Sequence, residues 1–304
     1  MNYGNILTTT WKTLWRNKAI IGFGMLMMIP PAFVGLFVGV LFAFTSEARM
    51  NAFFESDLGG LTALVFVLVY FLVIGLTLLT SALSFSGSLK GMLIAQNSTI
   101  PLSFSELWEA SLPFMWRMLG VMFSIGFVLM LLYMVPVLLI SVVGAVTAGL
   151  GFICLFPLLL LLIPFGAISY MVFSLSMAAL VAEDGGVFSS IQRGWDVMKS
   201  KFWPLVLMTV ILYFIQMGIG MVIAIPINIF QFALILPMQS GNVDPDQIFR
   251  FMGILFAIFL PLSSLLQGLG LTYVNGAWML SYLEVTAETP APPTEEDEIV
   301  DYAA

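Results

Sequence analysis

The stretch MLGVMFSIGFVLMLLYMVPVLLISVVGAVTAGLGFICLFPLLLLLIPFGAISYMVFSLSMAALVA, Met118 to Ala182, runs for 65 residues without an Asp, Glu, Lys or Arg. A helix that crosses a bilayer needs about 20 predominantly apolar residues, so this run has room for two or three crossings. Its flanks decide the number. Arg117 stands before it and Arg193, Lys199 and Lys201 after it, and basic loops gather on the cytoplasmic side of a membrane. Both flanks on one side require an even number, hence two crossings with a break near Gly144, Gly149 and Gly151.

The same reading extends outward. Ala19 to Ser46 and Leu58 to Leu89 each make one crossing, as do Phe202 to Val243 and Phe251 to Leu283. Within the fifth run, the piece after Pro226 is an alternative re-entrant segment. Ile227 to Met238 is too short to span by itself, so six crossings are expected. Six crossings put Lys12, Arg16, Lys18, Lys90, Arg117, Arg193, Lys199 and Lys201 on one side and only Arg49 and Arg250 on the other. That bias predicts a multi-pass protein of the cell membrane with both termini cytoplasmic.

Composition agrees. The 304 residues are 61% hydrophobic and 9% charged with a mean hydropathy of +1.07, where soluble domains are about 45–50% apolar and about 25% charged. The formal charge of −7 comes from Glu284, Glu288, Glu295, Glu296, Asp297, Glu298 and Asp301 after the last apolar run; the rest is balanced, ten acids against ten bases. Residues 1–285 therefore read as one membrane domain and 286–304 as an acidic, proline-containing disordered tail. No nucleic-acid surface is expected.

The absence of histidine excludes His general bases and His-based metal sites, and the single Cys154 excludes an internal disulfide or a thiolate cluster. No catalytic residue, cofactor or metal is expected, and the chain reads as a non-enzyme.

The pattern also repeats. Trp11, Trp108 and Trp195 each precede an apolar run, and Ala19, Trp116 and Trp203 follow them by eight residues. Gln96 and Glu183 stand twelve residues before Trp108 and Trp195, and Glu284 closes the third run. The expected fold is an all-α bundle of three parallel two-helix units, 1–97, 98–184 and 185–285, each opened by an amphipathic helix in the headgroup plane. In the third such helix Val187, Ile191, Trp195 and Met198 share a face opposite Arg193, Asp196 and Lys199; the first sets Ile6, Leu7, Trp11, Leu14 and Trp15 against Lys12 and Arg16. The second starts at Ser103 and Glu106, the spacing of a capping box. Trp11, Trp15, Trp108, Trp116, Trp195 and Trp203 are the expected interfacial anchors.

Val181-Ala-Glu-Asp-Gly-Gly, Ile191-Gln-Arg-Gly-Trp195 and Lys201-Phe-Trp-Pro204 together resemble a pattern in bacterial six-helix proteins similar to the membrane domain of membrane-anchored glycerophosphodiester phosphodiesterases. The resemblance implies a six-helix module of a bacterial inner membrane. It does not extend to the catalytic domain, which relies on histidine and acidic residues that bind metal.

Two groups of polar residues are candidate sites. Gln216, Asn228, Gln231, Gln267 and Asn275 fall inside the fifth and sixth runs, where amides either join helices or line a polar path. Lys90, Glu183 and Asp184 lie at ends of successive units, where a salt bridge between units is geometrically possible; the two carboxylates could also bind a cation or act as acid and base, and structural capping and solvation is the preferred role. The expected role is a module that organises lipid or a membrane protein partner, or self-associates; the alternative is a transporter or lipid-translocating protein using the amides of the last two helices.

Overall fold

The computed structural model describes residues 1–45, 52, 59–98, 100–147, 150–239 and 245–287. The tail from 288 onward and the side chains of Cys154 and Gln231 lie outside the described residues. Among the described residues the chain is all-helical: α1 Tyr3–Arg16, α2 Lys18–Met25, α3 Ile29–Phe44, α4 Gly59–Asn97, α5 Phe104–Val146, α6 Leu150–Ala182, α7 Val187–Ser200, α8 Phe202–Gln239 and α9 Pro245–Ala287. Six stretches are long and apolar enough to cross a membrane: Lys18–Phe44, Leu64–Asn97, Phe104–Val143, Leu162–Ala182, Phe202–Ile229 and Asp246–Ala287. The protein is a multi-pass membrane protein.

Local chemistry sets the breaks. A 3-10 turn, Leu26–Met28, interrupts the first crossing, and Pro30 and Pro31 follow in the opening turn of α3. Their missing N–H groups cost nothing there, because first-turn donors have no intrahelical acceptor. Asn17 and Lys201 each separate a 14-residue helix from a crossing. The second such helix is not separate. It starts at Ser103 with the expected capping box, in which the Ser103 hydroxyl accepts from Glu106 N at 3.2 Å and Glu106 Oε2 accepts from Ser103 N at 2.9 Å, and continues without a break to Val146. Six residues after Trp11 and Trp195 stand Asn17 and Lys201, where the helix stops; six after Trp108 stands Phe114, buried within α5. The segment after Pro226 is not re-entrant either: α8 runs through it to Gln239, a Pro that membrane helices accommodate.

At 43 residues, α5 and α9 are each ~65 Å long, about twice the hydrocarbon thickness of ~30 Å. They tilt or project beyond it, and Glu106, Glu109 and Arg117 in the first turns of α5 mark its water-facing part.

Packing is uneven along the helices. Buried residues concentrate where α4, α6 and α9 meet at the end that also carries α1 and α7, including Met92, Ala95, Leu175, Ala178, Trp278 and Tyr282. Toward the other end the side chains are mostly exposed, as at Phe71, Leu139, Phe214 and Phe232. Lipid solvates apolar groups as well as protein does, so close van der Waals fit and small residues hold membrane helices together. The α3–α9 seam shows this. Gly35 on α3 faces Leu260 on α9 and Gly39 faces Gly253 and Ala257, where a Cβ on Gly39 would stand 2.7 Å from Gly253 O and overlap Ala257 N. First and last crossings thus touch backbone to backbone.

Candidate functional site

The segment Val181–Trp195 folds into a clasp at the packed end. Asp184 follows the end of α6 in a left-handed conformation, φ 51°, which turns the chain through Gly185 and Gly186 into α7. This brings Arg193 back over Glu183, with Nε to Oε1 at 2.9 Å. Tyr282 of α9, buried at its ring, donates its hydroxyl to the same Glu183 oxygen. Desolvation works against the Arg193 charge, but the hydrogen bond and negative charge of Glu183 outweigh it and hold the guanidinium pKa above its ordinary value. Arg117 of α5 pairs with Asp184 at 2.7 Å and donates to the carbonyls of Asp184 and Gly185 at 3.1 and 3.0 Å. Gly194 completes the fit, since a Cβ there would lie 2.7 Å from Ser176 N on α6.

Of the pairings open to Glu183 and Asp184, the structure shows those with Arg193 and Arg117 and places Lys90 elsewhere. Lys90 Nζ sits 4.8 Å from the centre of the Phe114 ring, which Arg117 also approaches at 5.0 Å. The two carboxylates take arginines instead, because α7 and the start of α5 lie nearer them. In the sequence Arg117 carries only topology, Arg193 also marks the polar face of its helix and belongs to the quoted pattern, and Tyr282 is signalled only by its position at the end of a long apolar run, where a polar tip seeks a partner.

All six expected anchors are exposed, whereas Trp278, the seventh tryptophan, is buried. Trp11 meets Trp15 and Tyr273 edge-on at 5.5 and 6.1 Å, Trp108 packs on Phe104 and Phe23, and Lys199 lies 5.7 Å over Trp195. Trp116 and Trp203 are the most open, at 69% and 76%.

The intramembrane amides do not form one group. Asn228 donates to Ala224 O of its own helix at 2.8 Å, Gln267 is exposed, and Asn275 donates to Ser88 Oγ of α4 at 3.4 Å. Gln216 borders an apolar cleft of about 540 Å³ between α6, α8 and α9, and its buried Oε1 has no hydrogen-bond partner. Among the described residues no hydrogen bond joins any of these amides to another. Close to Asn275, Trp278 Nε1 donates to Tyr170 Oη at 3.3 Å, linking α9 to α6.

Within the clasp, Glu183 Oε1 takes two donors, Arg193 Nε and the Tyr282 hydroxyl. Among the described residues no three His, Cys, Asp or Glu side chains gather in a metal-binding group. No curated protein and no solved structure matches the chain. One family does, described as a domain of unknown function (DUF7847), over residues 111–280, which include the cleft and the clasp apart from Tyr282. With more than half of its length matched, the chain belongs to that family.

Proposed function

We propose that the protein is a non-enzymatic module of a bacterial inner membrane that organises lipid, or a membrane protein partner or second copy, through Trp-bearing helices at its cytoplasmic interface. The observation that carries this reading is the exposure of six tryptophans, Trp11, Trp15, Trp108, Trp116, Trp195 and Trp203, against the burial of Trp278. Indoles exposed beside basic residues suit the headgroup layer, where an amphipathic ring meets both hydrocarbon and water. In this reading α1, α7 and the first turns of α5 lie in that layer, and both termini are cytoplasmic.

The reading includes three parallel two-helix repeats. Supporting it, Arg16 donates to Ala95 O at 2.7 Å and to Ser98 O at 3.3 Å, while Arg117 donates to Gly185 O. Ser98 and Gly185 each follow the unit-closing Gln96 and Glu183 by two residues. In both cases a guanidinium from the opening part of a unit reaches the end of that same unit and the first residue of the next. At the end of the third, Met1 and Asn2 approach Glu284, with Asn2 N donating at 2.6 Å. The similarity to the membrane domain of glycerophosphodiester phosphodiesterases remains part of this proposal, without their activity.

The test is depth of the indoles. Single-Trp variants retaining Trp11, Trp108 or Trp195 are expected to be quenched strongly by shallow bromolipids and weakly by probes at the bilayer centre; free access of aqueous iodide to all three would refute the reading. A second reading, lipid or solute translocation, is favoured by the unpartnered Gln216 oxygen. Flux in proteoliposomes that disappears when Gln216, Asn228 and Gln267 become apolar would replace the first reading with this one.

A further inference from the structure

The three Trp-bearing segments at the packed end differ in charge. At the opening of α5, Trp108 stands between Glu106 and Glu109, and Arg117 is paired with Asp184. On α7 each cation has a carboxylate: Arg193 holds Glu183, and Lys199 holds Asp196 at 3.1 Å. The first segment is purely basic. Residues 1–46 contain Lys12, Arg16 and Lys18 and no acid, and among the described residues none of these three cations pairs with a carboxylate.

The fold gathers them on one surface. By burying Ile6, Thr10, Thr13 and Leu14, α1 leaves Trp11, Lys12, Trp15 and Arg16 exposed on its other side, within an arc of ~140° at 3.6 residues per turn. The break at Asn17 then sets exposed Lys18 at the start of the first crossing. Arg16 is held in place, since Nη2 donates to Ala95 O and Ser98 O at 2.7 and 3.3 Å, whereas Nε and Nη1 make no hydrogen bond among the described residues. A guanidinium anchored at one nitrogen loses less freedom on taking a further acceptor, and its remaining donors match the paired oxygens of a phosphate. Beside it Trp11 and Trp15, edge-on at 5.5 Å, offer apolar rings suited to the boundary between headgroup and acyl chain.

We propose that the α1–α2 face formed by Trp11, Lys12, Trp15, Arg16 and Lys18 binds an anionic phospholipid, whose phosphate takes Arg16 and a flanking lysine while the indoles lie along its glycerol region. A zwitterionic lipid serves less well, because its ammonium group meets the same cations. The proposal rests on the lipid-organising reading and deepens it: it names the headgroup charge and assigns its selection to one of three Trp-bearing segments. The paired or acidic surroundings of Trp108 and Trp195 give no such preference.

The experiment reads the lipid beside each indole. Full-length variants retain buried Trp278 as a common background together with Trp15, Trp108 or Trp195, and are reconstituted in mixed phosphatidylcholine and phosphatidylglycerol vesicles brominated on the chains of one lipid or the other. At Trp15, brominated phosphatidylglycerol is expected to quench as though enriched about fivefold over its bulk proportion, the selectivity that one basic residue supplies at an anionic surface. At Trp108 and Trp195 no enrichment is expected. Lys12→Glu with Lys18→Glu, which leaves the Arg16 bonds untouched but reverses the net charge of the face, should abolish the enrichment at Trp15. Asp196→Asn, which frees Lys199, should create one at Trp195. Equal quenching by the two lipids at Trp15 would overturn the proposal and leave the interfacial reading intact, because quenching by either lipid still places the indole against the bilayer. Occupation of the face by the acidic residues of the chain's own segment 288–304 would give that same equal result. Enrichment that is alike at all three indoles, or that survives the double replacement, would overturn the proposal as well. Absence of quenching by both lipids at every indole would remove the interfacial reading and this proposal together.

Discussion

Gly194 of α7 rests on the backbone of Ser176 in α6, so closely that a Cβ on Gly194 would fall 2.7 Å from the Ser176 nitrogen and 3.0 Å from its Cα. Backbone cannot swing aside as a flexible side chain can. Gly194→Ala is therefore expected to destabilise the protein by about 1–3 kcal/mol, the usual range for overpacking. Gly218, with nothing within 4 Å of an added Cβ, is the control. Thermal unfolding in detergent should fall for Gly194→Ala and hold or rise for Gly218→Ala.

The α3–α9 seam makes a second prediction of the same kind. Gly39→Leu or Gly253→Leu should force apart helices whose backbones touch, and unfolding should shift well below that of Gly75→Leu, which faces open space. Equal stability of all three variants would show that the seam does not hold the first and last crossings together.

Tyr282 and Glu183 meet from residues 99 apart. Tyr282→Phe removes a donor but leaves Glu183 paired with Arg193, so a loss of about 1.5–3 kcal/mol is expected, the net worth of a hydrogen bond to a charged group. In a double-mutant cycle the effect of Tyr282→Phe should shrink in the Glu183→Gln background, because the charged acceptor is gone. Strict additivity would place the tyrosine's contribution elsewhere, in its buried ring.

Topology is checked by cysteine accessibility in a Cys154→Ser background. Cysteines replacing Asn51 and Asn242 are expected to react from outside, and those replacing Ser98, Ser189 and Thr294 only from the cytoplasm. Outside labelling at position 294 would overturn the proposed orientation.

The number of crossings was legible because hydropathy is a property of each residue alone: the run from Met118 to Ala182 can be satisfied only by hydrocarbon, whatever it packs against. The capping box at Ser103 and Glu106 was legible for a similar reason, since its partners are three residues apart. The independence of the second interfacial helix was misjudged. Trp108 repeats the spacing of Trp11 and Trp195, but Phe114 replaces the residue at which the other two helices stop, and α5 continues.

By itself, then, the sequence determined that the chain lies in a membrane, how often it can cross, and which residues punctuate its helices, because these follow from local composition and short-range hydrogen bonding. Only the tertiary structure decided that Gly39 meets Gly253, that Glu183 takes Arg193 and Tyr282 rather than Lys90, and that the Gln216 oxygen is left unpaired at an apolar cleft. Each of these depends on the relative placement of helices. Nothing in a string of apolar residues specifies that placement, because hydrocarbon rewards every apolar face alike, and close fit between particular backbones chooses among them.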